Sequence, residues 1–521
     1  MNKYRIFLYF LSFLEGSSVM AAELLGAKML SPYFGASLYV WSSVLAVTLG
    51  GLALGYFTGG IISEGKRRER NLYIILLASA VFLIMMPVLA KEIMVHTAGF
   101  GLLVSILISS LIFLFPPVFC MGMVSPLIVG CIASGHPPEI QNPGKTAGAV
   151  YAISTLGGIL ATFFLGFYCI PVWGLTKPAI IIGMILGIIP FIKLITKKKF
   201  FSLIFPLSAF FSFGSSKPAP ANSDMKILYS SEGLLGQIIV ADYPLYEGRN
   251  KVEGSQRILF VNRSTQTVVT KRKNEVSFFE YVHLISRITK LQIEDNRQAL
   301  VLGLGGGSVA NELTKNGFQV DAVELDFRIA EIAKKYFGLS DRVNVCIDDA
   351  RHFLLSQKFN SDSHREKNQK YDVIVLDAFI GEVNPHHLFT EEFFAEIKSN
   401  LSDSGIFFIN GNGYWNDKAG KGMRSVCKTL IHSGFDAEVV PTQEEEAYRN
   451  LVFIAGKSKE NAGIITSKRI ADLNLENAII LTDEKPQLEI LNAEANKKWR
   501  EACMNYFLNG YYSKQDMLLF E

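Results

Sequence analysis

The sequence predicts a three-part fold: a multi-span α-helical membrane domain, a small β module, and an α/β domain on a parallel sheet. Three observations carry this. From Met1 to about Ser216 the chain is a series of long apolar runs, and from about Lys217 onward charges are spread throughout. From Gln298 the second half alternates short apolar strands with amphipathic helices, the pattern of a parallel, doubly wound sheet. The hydrophobic share of 49% is high for a soluble chain, and 521 residues suffice for two or more domains. The expected parts are residues 1–216 (transmembrane helices), 217–224 (linker), 225–297 (β module and a helix) and 298–521 (the α/β domain).

A bilayer core takes roughly 20 apolar residues per helix. Runs near 5–27, 38–62, 71–95, 101–134, 147–171 and 178–195 meet that length, and a shorter seventh lies near 200–214. The fourth is overlong and is interrupted by Pro116-Pro117, so it kinks or divides, and the count is six to eight spans. The first run carries Glu15 and Glu23 and is followed by further spans, so it reads as a retained membrane helix rather than a signal peptide. Glycine-rich stretches such as "TLGGLALGYFTGG" and "STLGGILATFFLG" suit close helix packing. Lys3 and Arg5, "SEGKRRER" (63–70) and "KLITKKK" (193–199) are the basic clusters. They fall on one side if six spans alternate, which makes the protein a multi-pass inner-membrane protein with its N-terminus inside. Six or eight spans leave the second half in the cytoplasm; seven place it outside. Glu15 and Glu23 are two turns apart and share a helix face. Buried acids of this kind either hydrogen-bond neighbouring helices or do work, and both readings stand.

Net charge is +3, a balance that says nothing about partners, and no nucleic-acid partner is expected. Six cysteines include no C-x-x-C, so neither a zinc site nor a disulfide framework is expected, and no metal is assigned.

The second half opens with the β-type runs "GQIIVADY" (236–243), "RILFVN" (257–262) and "TQTVVT" (265–270), followed by a helical pattern over 275–289. In a doubly wound sheet ligands bind beyond the carboxyl ends of the strands. The first strand ends in Gly303-Leu304-Gly305-Gly306-Gly307, a tight turn that lets a ligand approach the backbone. The second ends in Glu324, suited to the two hydroxyls of a ribose. The third ends in Asp348-Asp349-Ala350, suited to an adenine amino group, and the fourth in Asp377, beside a ligand's reactive end. Each acid alone is more often a helix cap. Glycine, Glu, Asp and Asp in order favour an adenosyl group without a pyrophosphate, closer to S-adenosylmethionine than to NAD. The fold is then Rossmann-like, of the S-adenosylmethionine-dependent methyltransferase type.

From about Leu228 to Ile409 the chain resembles the spermidine synthase (polyamine aminopropyltransferase) family. "YSSEGLLGQIIV" is similar to that family's opening β segment, with Gln237 at its donor-contacting glutamine. "ILFVNRSTQTVVTKRKNEVSFFEY" resembles the next hairpin and helix start. "VLGLGGGSVANEL", "VELD", "IDDARHFL" and "YDVIVLDAF" resemble its nucleotide motifs in order, and "HLFTEEFFAEIKSNLSDSGIFFIN" its closing segment. The apolar half, with "GLALGYFTGG" and "GKTAGAVYAISTLGGIL", resembles the membrane domain of bacterial fused or membrane-spanning members. The resemblance implies transfer of a propylamine group from decarboxylated S-adenosylmethionine (or use of S-adenosylmethionine itself) to a small-molecule amine or membrane-associated acceptor, in a homo-oligomer such as a dimer. It implies Asp377 as proton acceptor. Gln237, Glu324, Asp349 and Ala350 would contact the donor, with Gly303, Gly305 and Gly307 shaping its turn.

Three positions depart from the family. Gly306 stands where an aspartate helps bind the donor chain, Ala378-Phe379-Ile380 follows Asp377 without a second acid, and Phe278-Phe279 replaces the acceptor-side Tyr and His/Gln pair. A dicationic amine needs several carboxylates, so the acceptor is expected to be more apolar or membrane-delivered. Three readings stand: an aminopropyltransferase, a methyltransferase on a membrane-associated substrate, and a transporter or sensor with a non-catalytic nucleoside-binding domain. "VNPHHLF" (383–389) offers His386 or His387 for proton transfer or loop capping, and "QEEEAY" (443–448) is a solvated acidic face or a source of the missing carboxylates.

Overall fold

The computed structural model describes every residue except 1–2, 35–37, 98–101, 134–142, 216–224, 234, 248–249, 272–274, 292–296, 357–369, 380–382, 458–469, 471–472, 486 and 507–521. The expected linker 217–224 and Ile380 lie outside the described residues. The chain divides into two compact units, Met1–Pro220 with Ser231–Gln237, and Ala221–Ser230 with Ile238–Phe520.

The first unit is helical: α1 (Lys3–Phe34), α2 (Leu38–Ser63), α3 (Arg68–Thr97), α4 (Leu102–Phe113), α5 (Phe115–Gly122), α6 (Val124–Ala133), α7 (Pro143–Phe164), α8 (Ile170–Trp173), α9 (Thr176–Ile195) and α10 (Ile204–Ser215). Among the described residues, six segments are long and apolar enough to cross a membrane: Lys3–Ser31, Val40–Ser63, Arg68–Met94, Phe115–Ala133, Gly144–Trp173 and Thr176–Ile195. Val104–Phe113 and Phe200–Phe213 are apolar but shorter.

Proline accounts for the irregularities. The overlong fourth run divides at Leu114, before Pro116-Pro117, and again at Met123. There Pro126 has no N–H to offer the Gly122 carbonyl, so one helix ends and another starts. Pro171 does the same to residue 167, and α7 passes through a π-helical turn, Leu165–Cys169, into α8.

Small residues set the helix contacts. A Cβ at Gly16 of α1 would overlap the Ser154 carbonyl of α7, and one at Gly55 of α2 would overlap the Phe119 carbonyl of α5. The bundle buries Leu8, Leu11, Leu25, Leu76 and Leu83, yet it exposes Leu49, Phe57, Phe163, Phe167 and Phe210 on the outside. Apolar residues therefore face both inward and outward.

The β module is a five-stranded sheet in sequence order: β1 (Lys226–Gly233), β2 (Gly236–Glu247), β3 (Asn250–Val261), β4 (Ser264–Lys271) and β5 (Glu275–Ser277). The pairs from β2 to β5 are antiparallel. Asn262 and Arg263 both have positive φ (50° and 63°), the backbone of a two-residue hairpin turn between β3 and β4.

Helix α11 (Glu280–Lys290) leads into a seven-stranded sheet. Its strands are β6 (Gln298–Leu302), β7 (Gln319–Glu324), β8 (Val343–Ile347), β9 (Tyr371–Leu376), β10 (Leu401–Asn412), β11 (Asp436–Pro441) and β12 (Asn450–Gly456). The order is β11-β12-β10-β9-β6-β7-β8. Strands β6 to β10 run parallel, as the sequence predicts, while β12 pairs antiparallel with both β10 and β11. This antiparallel hairpin is an addition the strand–helix alternation did not signal. Helices α12 (Ser308–Lys315), α13 (Phe327–Phe337), α14 (Ala350–Ser356), α15 (Glu391–Asn400), α16 (Lys421–His432) and α17 (Leu488–Tyr506) complete the domain.

Strand side chains alternate between two cores. Ala299, Val301, Val373, Val375, Ile406 and Phe408 pack with α11 and α12. Leu300, Leu302, Ile374, Leu376, Phe407 and Ile409 pack with α15 and α16. Burial on both faces is why these strands read as continuous apolar runs. The chain leaves β6 toward β7 and β8, then returns to β9 and β10 on the other side. The strand order therefore reverses between β6 and β9, and a crevice at their carboxyl ends is the position where such sheets bind ligands.

Candidate active site

Gly303 and Asp377 are the first residues beyond β6 and β9, and they meet at that reversal. The Asp377 N–H donates to the Leu302 carbonyl (2.8 Å), and the Gly303 N–H to the Val323 carbonyl (2.9 Å). Gly303 has φ 95°, and a Cβ there would overlap the Asp377 carbonyl, so the junction admits only glycine. Gly305 and Gly307 also have positive φ (52° and 81°), and Gly307 leads into α12.

Glu324 closes on this turn. One carboxylate oxygen accepts the Leu304 N–H (3.1 Å) and the other the Asp326 N–H (2.9 Å). Burial pushes its carboxyl up, and these backbone donors pull it back. The side chain that the sequence assigns to a ribose thus also braces the glycine loop.

Asp349 precedes Ala350, the first residue of α14. Its Oδ1 accepts the Arg351 and His352 N–H groups (2.9 and 3.1 Å), a helix cap, and its Oδ2 lies 3.1 Å from His387 Nε2. His387 first, then the capping amides, hold the carboxyl low, at about 2. The neighbouring Asp348 carboxylate instead meets His352 Nδ1 (2.8 Å). His387 therefore serves Asp349. Burial, then the charge of His387, lowers the pKa of His386.

Asp377 is half-buried, and each of its oxygens has a donor. Tyr281 Oη, from α11, donates to Oδ2 (2.9 Å), and Asn410 Nδ2, from β10, donates to Oδ1 (2.8 Å). Asn450 Nδ2 of β12 in turn donates to Asn410 Oδ1 (3.0 Å), so the antiparallel hairpin orients the Asp377 partner. Burial pushes the Asp377 carboxyl up; Asn410 and Tyr281 oppose it.

The space beside Gly306 is filled. A Cβ there would come within 2.6 Å of Thr267 Cγ2 and 3.1 Å of Phe337, while the Gly306 N–H donates to Thr267 Oγ1 (2.8 Å). Thr267 from β4 thus replaces any acid at that place. In the acidic run, Glu446 accepts the Trp415 and Asn416 N–H groups (both 3.1 Å) and pairs with Arg449 (3.0 Å), whereas Glu444 and Glu445 are exposed. Glu446 ties down the loop after β10. Gln237 is the second residue of β2 and belongs to the other compact unit.

The structure therefore gathers Gly303, Gly305, Gly307, Glu324 and Asp377 around one strand reversal and places Asp349 and Ala350 at the start of α14. Tyr281, Asn410, Asn450 and Thr267 escaped the sequence reading. Asn410 sits immediately before Gly411-Asn412-Gly413-Tyr414-Trp415, near a strand end, which is the one local signal for it.

Residues 278–464 match the family model described as "Spermine/spermidine synthase domain". The C-terminal part of this chain is therefore similar to the spermine/spermidine synthase domain. A polyamine aminopropyltransferase of Vibrio vulnificus is 41% identical over 115 residues, 21% of this chain and 36% of that protein. Another, of Thermoplasma volcanium, is 30% identical over 183 residues, 32% of this chain and 62% of that protein. An N-terminal histidine N-methyltransferase of Emericella nidulans is 35% identical over 115 residues, 22% of this chain and 20% of that protein. The chain thus spans less than two thirds of the length of each of these relatives. The matched stretch begins at Phe278, on the approach to α11, and includes the glycine turn, Glu324, Asp349, Asp377 and β12.

Proposed function

We propose that this protein is a membrane-anchored aminopropyltransferase that moves a propylamine group from decarboxylated S-adenosylmethionine to an amine. The observation that carries the reading is the Asp377 carboxylate, fixed by Tyr281 and Asn410 at the strand reversal beside the glycine turn. The donor supplies a sulfonium, whose C–S bond breaks as the amine nitrogen forms its new C–N bond. Asp377 accepts the proton that the amine gives up, and its two donors aim it without occupying every lone pair. The glycine turn, Glu324, Asp349 and Ala350 would hold the adenosyl group.

The anchor reading rests on six long apolar segments and on the large apolar residues that the bundle turns outward, as a lipid-facing surface requires. The basic clusters favour an inside N-terminus if the six spans alternate, and S-adenosyl donors are made in the cytoplasm, so the C-terminal domain is read as lying on that side. Gly306 and Phe278-Phe279 remove polar groups where a polyamine would be gripped, which favours an acceptor with fewer charges or one delivered from the membrane.

A second reading, methyl transfer from S-adenosylmethionine, is favoured by the missing acid at Gly306 and by the N-methyltransferase match. Calorimetry on the full-length chain in detergent, with S-adenosylmethionine, its decarboxylated form and methylthioadenosine, separates the two. The proposal expects the decarboxylated donor to bind most tightly, with transfer to an amine that Asp377→Asn lowers on the order of 10²–10⁴-fold. Preference for S-adenosylmethionine selects the second reading. Binding to none of the three defeats both.

A further inference from the structure

One acid in the helical unit has no part in that chemistry. Glu15 lies near the middle of the Lys3–Ser31 segment and is 1% exposed. Its Oε2 accepts hydrogen bonds from Ser154 Oγ of α7 (3.0 Å) and Ser125 Oγ of α6 (3.3 Å). Among the described residues no Lys, Arg or His forms an ion pair with it. Tyr56 of α2 and Tyr151 of α7 are the titratable side chains within electrostatic reach. Their rings stand edge to face with centroids 5.8 Å apart. Glu23, two turns further along α1, is only half-buried, so the expected common face holds just one fully enclosed acid.

Two backbone features adjoin Glu15. Ser125 is the second residue of α6, placed there by the break that Pro126 imposes, so the positive end of that helix lies beside the carboxylate. Helices interrupted at mid-span next to an ionisable group are how membrane proteins build ion sites. Gly16 holds α1 so close to α7 that a single Cβ would overlap Ser154. Among the described residues no group of three or more His, Cys, Asp or Glu side chains is placed to hold a metal ion. A proton needs neither space nor further ligands.

We propose that Glu15 is a proton-binding site, and that the helical unit takes up and releases a proton there. An ionised carboxylate buried without a countercharge is costly, and protonation removes that cost. The two serine hydroxyls donate to the ionised form, and they can rotate to accept when the carboxyl carries its own proton. They keep the two states close enough in energy to exchange. The inference rests on reading these helices as membrane spans, and not on the transfer reaction.

The test is infrared difference spectroscopy of the full-length chain reconstituted in lipid, titrated from acid to alkaline pH. A protonated-carboxyl band that disappears as pH rises, and that Glu15→Gln lacks, is the expected result. Ser154→Ala, which removes a donor to the ionised form, should move the midpoint to higher pH while keeping the band. A band unchanged by pH, or unchanged in Glu15→Gln, would overturn the proposal, and so would a midpoint indifferent to Ser154→Ala. Aminopropyl transfer assayed on the same preparation reports on Asp377 separately. Loss of the infrared signal with transfer intact therefore faults only the Glu15 site, and the converse faults only the enzyme reading.

Discussion

Asp377 receives one donor on each oxygen, from a helix before the sheet and from a strand after it, and this arrangement has a pH consequence. The carboxylate must be ionised to accept a proton from the amine. Burial raises its pKa, and Asn410 and Tyr281 lower it. Activity should therefore fall as pH drops through the Asp377 pKa, and Asn410→Ala should shift that acid limb to higher pH. A pH profile of transfer for the two proteins checks this; an unmoved limb would mean that another group sets it. Asp349, held at about 2, stays ionised across the whole range and cannot be that group. The place of Asp377 at a strand end was legible because it follows an apolar strand. The hydrogen bonds from Tyr281 and Asn410 were not, since they reach Asp377 across 96 and 33 residues of chain. Nothing local in the sequence encodes such pairings.

The glycine turn shows how an element couples to the site. Gly303 needs a positive φ and touches the backbone of the next strand's end, so the turn and Asp377 form one unit. Gly303→Ala should cost about 1–3 kcal/mol in backbone strain alone, and more from the overlap with Asp377. The check is thermal unfolding together with donor calorimetry. A variant with unchanged melting and donor affinity would contradict the tight junction. Strand–helix alternation made the parallel core of the sheet readable in advance. The β11–β12 hairpin was hidden because two antiparallel strands after a helix carry the same apolar signal as two more parallel ones. Yet that hairpin supplies Asn450, which orients Asn410. In the helical unit the divided fourth run was readable from Pro116-Pro117, while the second break needed the lone Pro126, whose effect depends on its being inside a helix.

At the scale of the whole molecule, the proposed membrane reading makes a topological prediction: if the six long apolar segments each cross once, both chain ends lie on the same side of the membrane. A reporter fused at the C-terminus should be active on the cytoplasmic side, and the chain should leave the membrane fraction only with detergent. An external C-terminus would imply an odd number of crossings, with the Phe200–Phe213 helix as the extra one, and would deny the proposed enzyme its cytoplasmic donor. The sequence by itself determined the division into an apolar and a charged half, the strand-and-helix order, and the glycine and acids at successive strand ends. These follow from local periodicity and composition, which adjacent residues carry. Only the tertiary structure decided which groups stand on Asp377 and Asp349, what fills the place beside Gly306, and that Glu15 is enclosed by two serines. Those contacts join residues far apart in the chain, and long-range packing alone brings them within hydrogen-bonding distance.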